Sequence, residues 1–159
     1  MLFPRAIRLD TSDESAYSIP AQPGEWAVPG SFEFYDVDPV QLAGKSAEAF
    51  AHGFLGVVSF GRTTLVEVAE ISEAERDDVL RRIADHFVTH YGAPDREAAM
   101  PAAVEEAEFA HSICEHPAHT LLMIEREITA DGIREKFKVV KPLDASGHAD
   151  VRIWGPVEE

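Results

Sequence analysis

The fold is decided most clearly by residues 72–100, which read SEAERDDVLRRIADHFVTHYGAPDREAAM. Ser72 and Glu75 have the spacing of a capping box, in which each side chain satisfies a free backbone N–H at a helix start. Gly92 and Pro94 then favour a helix end, because glycine accepts the left-handed cap and proline bars continuation. We therefore predict a helix ending at about Tyr91. Its apolar stripe recurs every three or four residues: Leu80, Ile83, Ala84, Phe87 and Tyr91.

A second helix is predicted directly after the first. Asp95 is its N-cap, Pro101 either kinks it or starts a fresh helix, and it ends near Cys114, before Pro117. One face is formed by Met100, Ala103, Val104, Ala107, Ala110 and Cys114. Phe109 and Ile113 lie four residues apart on the opposite face. A second apolar face indicates a helix that is covered twice, by the sheet and by another helix or subunit.

Strands are predicted on both sides of this helix pair. Before it come residues 2–10, 26–28 and 31–35, a helical turn at Asp38–Pro39, and a hairpin of residues 54–60 and 63–71. After it, residues 121–128 and 133–140 flank Asp131–Gly132, a strong hairpin signal, and residues 151–154 form a last strand. Strands and helices do not alternate, so we predict an α+β fold. Its antiparallel sheet has roughly six to eight strands, with the two consecutive helices on one face.

Length and charge limit the class of protein. The chain has 159 residues, and we expect one domain over residues 1–159. It carries 29 acidic and 14 basic residues, a formal charge of −15 with histidine neutral. Such a surface repels phosphates, so nucleic acid and anionic membranes are not expected as partners.

One basic cluster interrupts this acidity: Arg134, Lys136, Lys138 and Lys141. The predicted hairpin places Glu127 opposite Lys136 and Glu125 opposite Lys138. Cross-strand ion pairing therefore explains the cluster better than a ligand-binding patch.

Location and redox state follow from the cysteine count and the N-terminus. Cys114 is the only cysteine, so no internal disulfide can form. Residues 1–8 lack the apolar core and cleavage site of a signal peptide. The longest apolar stretch, near residues 54–60, is far shorter than the ~20 residues of a membrane span. We expect a cytoplasmic protein.

The richest set of potential metal ligands lies on and around the two helices. Imidazole and thiolate groups bind Zn²⁺, and a nitrogen-rich set also suits Fe²⁺. The candidates are His86, His90, His111, Cys114, His116 and His119. No Cys-x-x-Cys pair is present, however, so an alternative stays open. The histidines then serve as core or boundary residues, and Cys114 is a small buried hydrophobe.

Catalytic signatures are weak. Gly53, Gly56 and Gly61 do not form a phosphate-binding loop and indicate bulges or close backbone approach. A nucleophilic Cys114 needs an electropositive setting, which the neighbouring acids oppose. An enzyme using Glu108 or His111 as acid–base stays possible, as does a small-ligand pocket near Trp26, Phe32 and Phe34. Whether the protein is an enzyme is open, and catalytic and cofactor-binding residues are unassigned.

Three segments together carry a family resemblance: Pro23–Val28, Gly53–Val57 and Ile113–Pro117. They resemble those of a family of small bacterial proteins of unassigned function. The resemblance implies a free-standing domain of about this whole length, and it brings no activity, cofactor or catalytic residue.

These observations favour a protein that works through binding. We expect a small acidic accessory or interaction protein that forms a homo-oligomer or binds a protein partner, because the second helix is apolar on two faces. No cofactor is expected. The alternative is a metal-binding protein or metalloenzyme that uses Zn or Fe at the His/Cys cluster.

Overall fold

A computed structural model describes residues 1–140 of the chain. The predicted strand at 151–154 and the basic residue Lys141 lie outside the described residues. The strands are β1 (Leu2–Ile7), β2 (Ala27–Val28), β3 (Phe54–Gly56), β4 (Arg62–Thr63), β5 (Leu65–Glu70), β6 (Leu121–Thr129) and β7 (Gly132–Val140). The helices are α1 (Ser12–Ala16), α2 (Gly44–His52), α3 (Glu73–His90) and α4 (Arg96–Ser112). Two 3₁₀ turns span Ser31–Phe34 and Pro39–Gln41.

The α+β prediction is confirmed, with the strands divided between two antiparallel sheets. One sheet has the order β1-β5-β6-β7, and the other has the order β2-β3-β4. The two sheets meet where β1 runs beside β2, through an isolated bridge between Arg5 and Trp26. Helix α4 contacts both β1 and β2. In the described part of the chain, no helix has the length and apolar character needed to cross a membrane.

The helix pair begins as its sequence signals predict. Ser72 Oγ accepts a hydrogen bond from Glu75 N at 3.1 Å, and Glu75 Oε1 accepts one from Ser72 N at 3.0 Å. Asp95 accepts from Ala98 N at 2.8 Å. Helix α4 continues through Pro101 as a single helix. The apolar stripe of α3 is buried as far as Phe87, but Tyr91 follows the last turn and is 45% exposed.

Alanines let the two helices pack closely. Ala103, Ala107 and Ala110 of α4 are buried and share a core with Ile83 and Ala84 of α3. The opposite side of α4 is covered in part by β7, since the ring of Phe109 packs edge-on against that of Phe137 with centroids 5.8 Å apart. Phe109 itself stays 40% exposed.

Some local predictions are wrong. The predicted strand at residues 31–35 is wrong, since Ser31–Phe34 form a 3₁₀ turn. Gly30 adopts φ 73° and turns the chain just before it. A Cβ at Gly30 would also lie 2.4 Å from Leu55 Cβ. Helices α1 and α2 were not predicted, whereas the turn at Asp38–Pro39 is confirmed, with Asp38 accepting from Val40 N.

Strand pairing differs from the prediction at two places. Strand β3 pairs with the short β4, while β5 crosses to the other sheet between β1 and β6. In the β6–β7 hairpin, Thr129 pairs with Gly132, so the turn lies one residue earlier than predicted. Glu127 therefore faces Arg134, and Glu125 faces Lys136. Lys138 still reaches Glu125 diagonally, with Nζ 2.9 Å from the carboxylate.

Candidate functional site

A second junction of the two sheets contains two buried arginines. Arg62 of β4 and Arg126 of β6 both donate to the carbonyls of Pro29 and Gly53. Arg62 and Arg126 are 6% and 5% exposed. Arg62 donates to the carbonyls of Pro29, Gly30 and Gly53. Both guanidinium groups lie over the ring of Phe34, at 4.6 and 5.3 Å from its centroid. The arginines therefore fix the position of this ring.

Arg126 also holds the end of α2. Its Nη1 donates to the carbonyls of Phe50 at 2.9 Å and Gly53 at 2.8 Å, and its Nε donates to Ser31 Oγ at 2.6 Å. Nη2 donates to Pro29 O. The last carbonyls of a helix have no partner within the helix and carry partial negative charge, which a buried guanidinium satisfies. Burial first, and then the nearby charge of Arg62, lower the pKa of Arg126 to about 9.

Glu33 connects Arg62 to two side chains of the α3 end. Its Oε1 accepts from Arg62 Nη2 at 2.8 Å. Its Oε2 lies 3.0 Å from His86 Nε2 and accepts from the Tyr91 hydroxyl at 3.3 Å. Burial raises the pKa of Tyr91 to about 12, and the Glu33 charge acts in the same direction. This Glu33 network joins a turn, a strand and a helix that are far apart in sequence.

Phe60 fixes the histidine of this network. Its ring stacks on that of His86, with centroids 3.9 Å apart and planes 3° apart. Phe60 adopts φ 53°, a left-handed conformation that is a genuine outlier for a bulky residue. Such strain persists only where the surroundings enforce it, and it is concentrated at functional sites.

A cleft of about 450 Å³ opens beside the Glu33 network. Ligand sites commonly have about 300–1,000 Å³, so the cleft can take a small molecule. Apolar side chains form most of its wall: Ile19, Phe34, Val37, Leu42, Ala49 and Phe60. Its charged residues are Glu33, Arg62 and Lys45. Within residues 1–140, Lys45 makes no ion pair.

Comparison with known proteins gives one result. A family model described as "Family of unknown function (DUF6505)" matches residues 1–154. The chain belongs to the DUF6505 family. The expected membership of a whole-chain family of unknown function is thereby confirmed, while a bacterial origin stays a prediction. No curated protein and no solved structure matches the chain.

The potential metal ligands of this DUF6505 member do not come together as one group within residues 1–140. His86 and His90 have ring centroids 4.7 Å apart, but His86 is held by Glu33 and Phe60. Nδ1 of His111 lies 2.7 Å from the carbonyl of Leu2, and Nδ1 of His119 lies 3.4 Å from Glu67. His116 is likewise engaged in a separate interaction. Among residues 1–140, no three His, Cys, Asp or Glu side chains form a group that could hold a metal ion.

Cys114 lies in the core beneath the larger sheet of this DUF6505 domain. It is 2% exposed and packs in the cluster that contains Phe54, Ile124 and Phe137. Burial raises the pKa of its thiol to about 12. A thiol in such a setting is a poor nucleophile, because the reactive form is the thiolate.

The sequence offered little sign of the residues that build the cleft of this DUF6505 chain. Of the three candidate pocket residues, Phe34 lines the cleft, whereas Trp26 and Phe32 do not. The charged residues Glu33, Lys45 and Arg62 were missed. The available signal was the set of glycines. Gly53 and Gly30 supply carbonyls to Arg62, and a Cβ at Gly53 would lie 2.9 Å from Arg62 Cδ.

Proposed function

We propose that this protein works by binding a small organic anion in the cleft beside the Glu33 network. The observation that carries the proposal is the charge of the lining. Lys45 and Arg62 carry two positive charges against one negative charge on Glu33, in a chain whose formal charge is −15. A cleft lined by one excess sign of charge attracts ligands of the opposite sign.

The two cations have different roles in the proposal. Arg62 is buried, and its Nη atoms are committed to three carbonyls and to Glu33. It therefore supplies a fixed positive field. Lys45 is exposed on α2 and lines the cleft, so its ammonium is free to donate to a bound anion. Lysine contacts anions as a flexible point charge.

The rest of the ligand is expected to be apolar. Phe34, Phe60, Val37 and Leu42 line the cleft and offer contact to an aliphatic or aromatic body. Binding sites combine a mostly apolar wall with a few polar groups that orient the ligand. The proposed ligand class is a small carboxylate with an apolar body.

The test compares matched small molecules. Thermal denaturation is measured with aromatic and aliphatic carboxylates, such as benzoate and hexanoate, and with the corresponding neutral amides and cationic amines. A ligand that binds the folded state raises its melting temperature. Carboxylates are expected to stabilise the protein more than their amides, and amines least. Equal stabilisation by amines, or no stabilisation by any carboxylate, would contradict the proposal.

Two lysine variants localise the binding. Lys45→Gln is expected to weaken carboxylate binding about tenfold, because a hydrogen bond to a charged group contributes about 1.5 kcal/mol. Lys136→Gln removes the same charge from an exposed position on β7, away from the cleft, and is expected to leave binding unchanged. Equal weakening by both variants would indicate a general charge effect and no site at Lys45.

Self-association and a cytoplasmic location are further parts of the proposal. Tyr35, Phe109 and Ile128 are exposed apolar side chains that a second copy of the chain would cover. Light scattering over a wide concentration range tests this, and a monomer at every concentration would contradict it. Fractionation of the producing cells tests the location.

A further inference from the structure

Strand β7 carries a carboxylate that the surrounding fold does not satisfy. Glu135 Oε2 is buried and has no hydrogen-bond partner within residues 1–140. Arg126 stands directly opposite Glu135 in the β6–β7 register. Its guanidinium, however, is turned to Ser31 and the carbonyls of Phe50 and Gly53. A buried oxygen without a partner is costly when it is charged.

Helix α4 brings a second acid to the same place. The rings of Phe109 and Phe137 are in contact, so α4 and β7 touch here. Glu106 lies one turn before Phe109 on α4, and Glu135 lies two residues before Phe137 on β7. We call these four residues the α4–β7 seam. Burial first, and then the charges of Glu135 and Glu105, raise the pKa of Glu106 to about 7.

The other groups facing the seam do not neutralise it. The pKa of Tyr35 is raised, first by burial and then by the charges of Glu106 and Glu135. Glu105 adds a further negative charge from α4. Arg126 from β6 is the opposing cation, and its hydrogen bonds are made elsewhere. The seam therefore carries excess negative charge whenever Glu106 is ionised.

We propose that the α4–β7 seam is a pH-sensitive contact, which closes when Glu106 takes up a proton and loosens when Glu106 releases it to solvent. With the proton bound, Glu106 is neutral and α4 lies against β7. Without it, two carboxylates with little access to water repel each other, and separation of α4 from β7 relieves the repulsion. This inference is independent of the cleft and its ligand.

Cys114 provides the reporter for the test. It follows α4 directly, it is the only cysteine, and it is buried in the cluster that contains Phe137. A chromogenic disulfide reagent can reach it only when this region opens. The labelling rate is measured from about pH 5 to about pH 9 for the wild type and for Glu106→Gln. Their ratio at each pH cancels the ionisation of the thiol itself.

The wild type is expected to label progressively faster than Glu106→Gln as the pH rises. The ratio of the two labelling rates should increase about tenfold or more across the pH series. The pKa of Glu106 is displaced from 4.5 to about 7, and the opening equilibrium can change by up to tenfold for each pH unit between these two values. Glu108→Gln is the matched control, since it removes the same charge from an exposed position of α4. Its ratio to the wild type should stay constant.

A second variant keeps the test decisive. Glu135→Gln removes the other charge of the seam, so the ratio of wild type to Glu135→Gln should rise in the same direction. If Glu106→Gln does not fold, the Glu135→Gln series decides alone. A constant ratio for the folded seam variants, or an equal rise for Glu108→Gln, would overturn the proposal.

Discussion

Replacement of Arg126 by methionine tests whether this arginine holds the junction of the two sheets. Methionine has a similar length and can fill much of the same space, but it cannot donate hydrogen bonds. The variant loses the bonds to Ser31 Oγ and to the carbonyls of Phe50, Gly53 and Pro29. Arg62 continues to donate to the carbonyls of Gly53 and Pro29, so the carbonyl of Phe50 is the one that loses its arginine donor altogether.

Two effects of this change oppose each other. Burial, together with the charge of Arg62, disfavours the charged form of Arg126 and lowers its pKa to about 9. Methionine carries no charge and therefore avoids this desolvation cost. Against it stand an unsatisfied buried carbonyl, about 1–3 kcal/mol, and the loss of several charge-assisted hydrogen bonds, about 1.5–3 kcal/mol each. The second effect is larger. We expect a net loss of about 2–4 kcal/mol in the free energy of unfolding, since breaking a buried charged network is strongly destabilising.

Urea denaturation and thermal melting measure this loss. The melting temperature should fall by about 4–16 °C, because a domain of this size loses roughly 2–4 °C per kcal/mol. Arg126→Lys keeps the charge but not the planar fork, and an intermediate loss is expected. Arg134→Met is the matched control in the same hairpin. Its side chain is exposed and pairs with Glu127, so it should cost less than about 1 kcal/mol. Equal losses for Arg126→Met and Arg134→Met would refute the reasoning.

Two further predictions concern the buried acid Glu25 and the tyrosines Tyr17 and Tyr91. Glu25 Oε1 accepts from the backbone N–H groups of Val58 and Ser59, and its Oε2 accepts from Gln22 N at 2.6 Å and from Ser59 Oγ at 2.7 Å. In Glu25→Gln the amide oxygen can replace only one of these two oxygens, and the NH₂ group would face a donor, so the free energy of unfolding should fall by about 2–3 kcal/mol in urea denaturation. A loss no larger than that of an exposed Glu→Gln change would contradict this. Burial raises the pKa of Tyr17 and of Tyr91 to about 12, with Glu33 contributing at Tyr91. Because an unfolded tyrosine ionises near pH 10, the free energy of unfolding should fall as the pH rises from about 10 to about 12. The absorbance of tyrosinate in the native protein measures the ionisation, and a step near pH 10 would contradict the raised pKa values.

Local signals predicted helices α3 and α4 and the presence of the β6–β7 hairpin, since their causes lie within a few residues. The capping box at Ser72 and the N-cap at Asp95 act over three residues, and both are present. The turn at residues 31–34 was missed because Phe32 and Phe34 alternate as they would in a strand. Their rings instead pack against different helices, Phe32 against Phe87 and Phe34 against Phe50.

Buried charges could not be predicted, because their partners are distant in sequence. Arg62 reaches Glu33 across 29 residues, and Arg126 reaches Ser31 across 95. The sequence does hold an indirect sign of such contacts. The interpretation of the strand glycines as points of close approach fits Gly56, where an added Cβ would lie 2.3 Å from Glu25 Oε1. It does not say which side chain approaches.

The hold of Arg126 on the carbonyl end of α2 has a consequence for molecular recognition. Lys45 and Ala49, on the cleft wall, belong to this same nine-residue helix. A short isolated helix frays in water, and ordering it upon binding would cost conformational entropy. With its last turn fastened to a buried guanidinium, the wall is ordered at folding and before any ligand arrives. Preorganisation of this kind lets a small molecule keep a larger share of its contact energy as affinity.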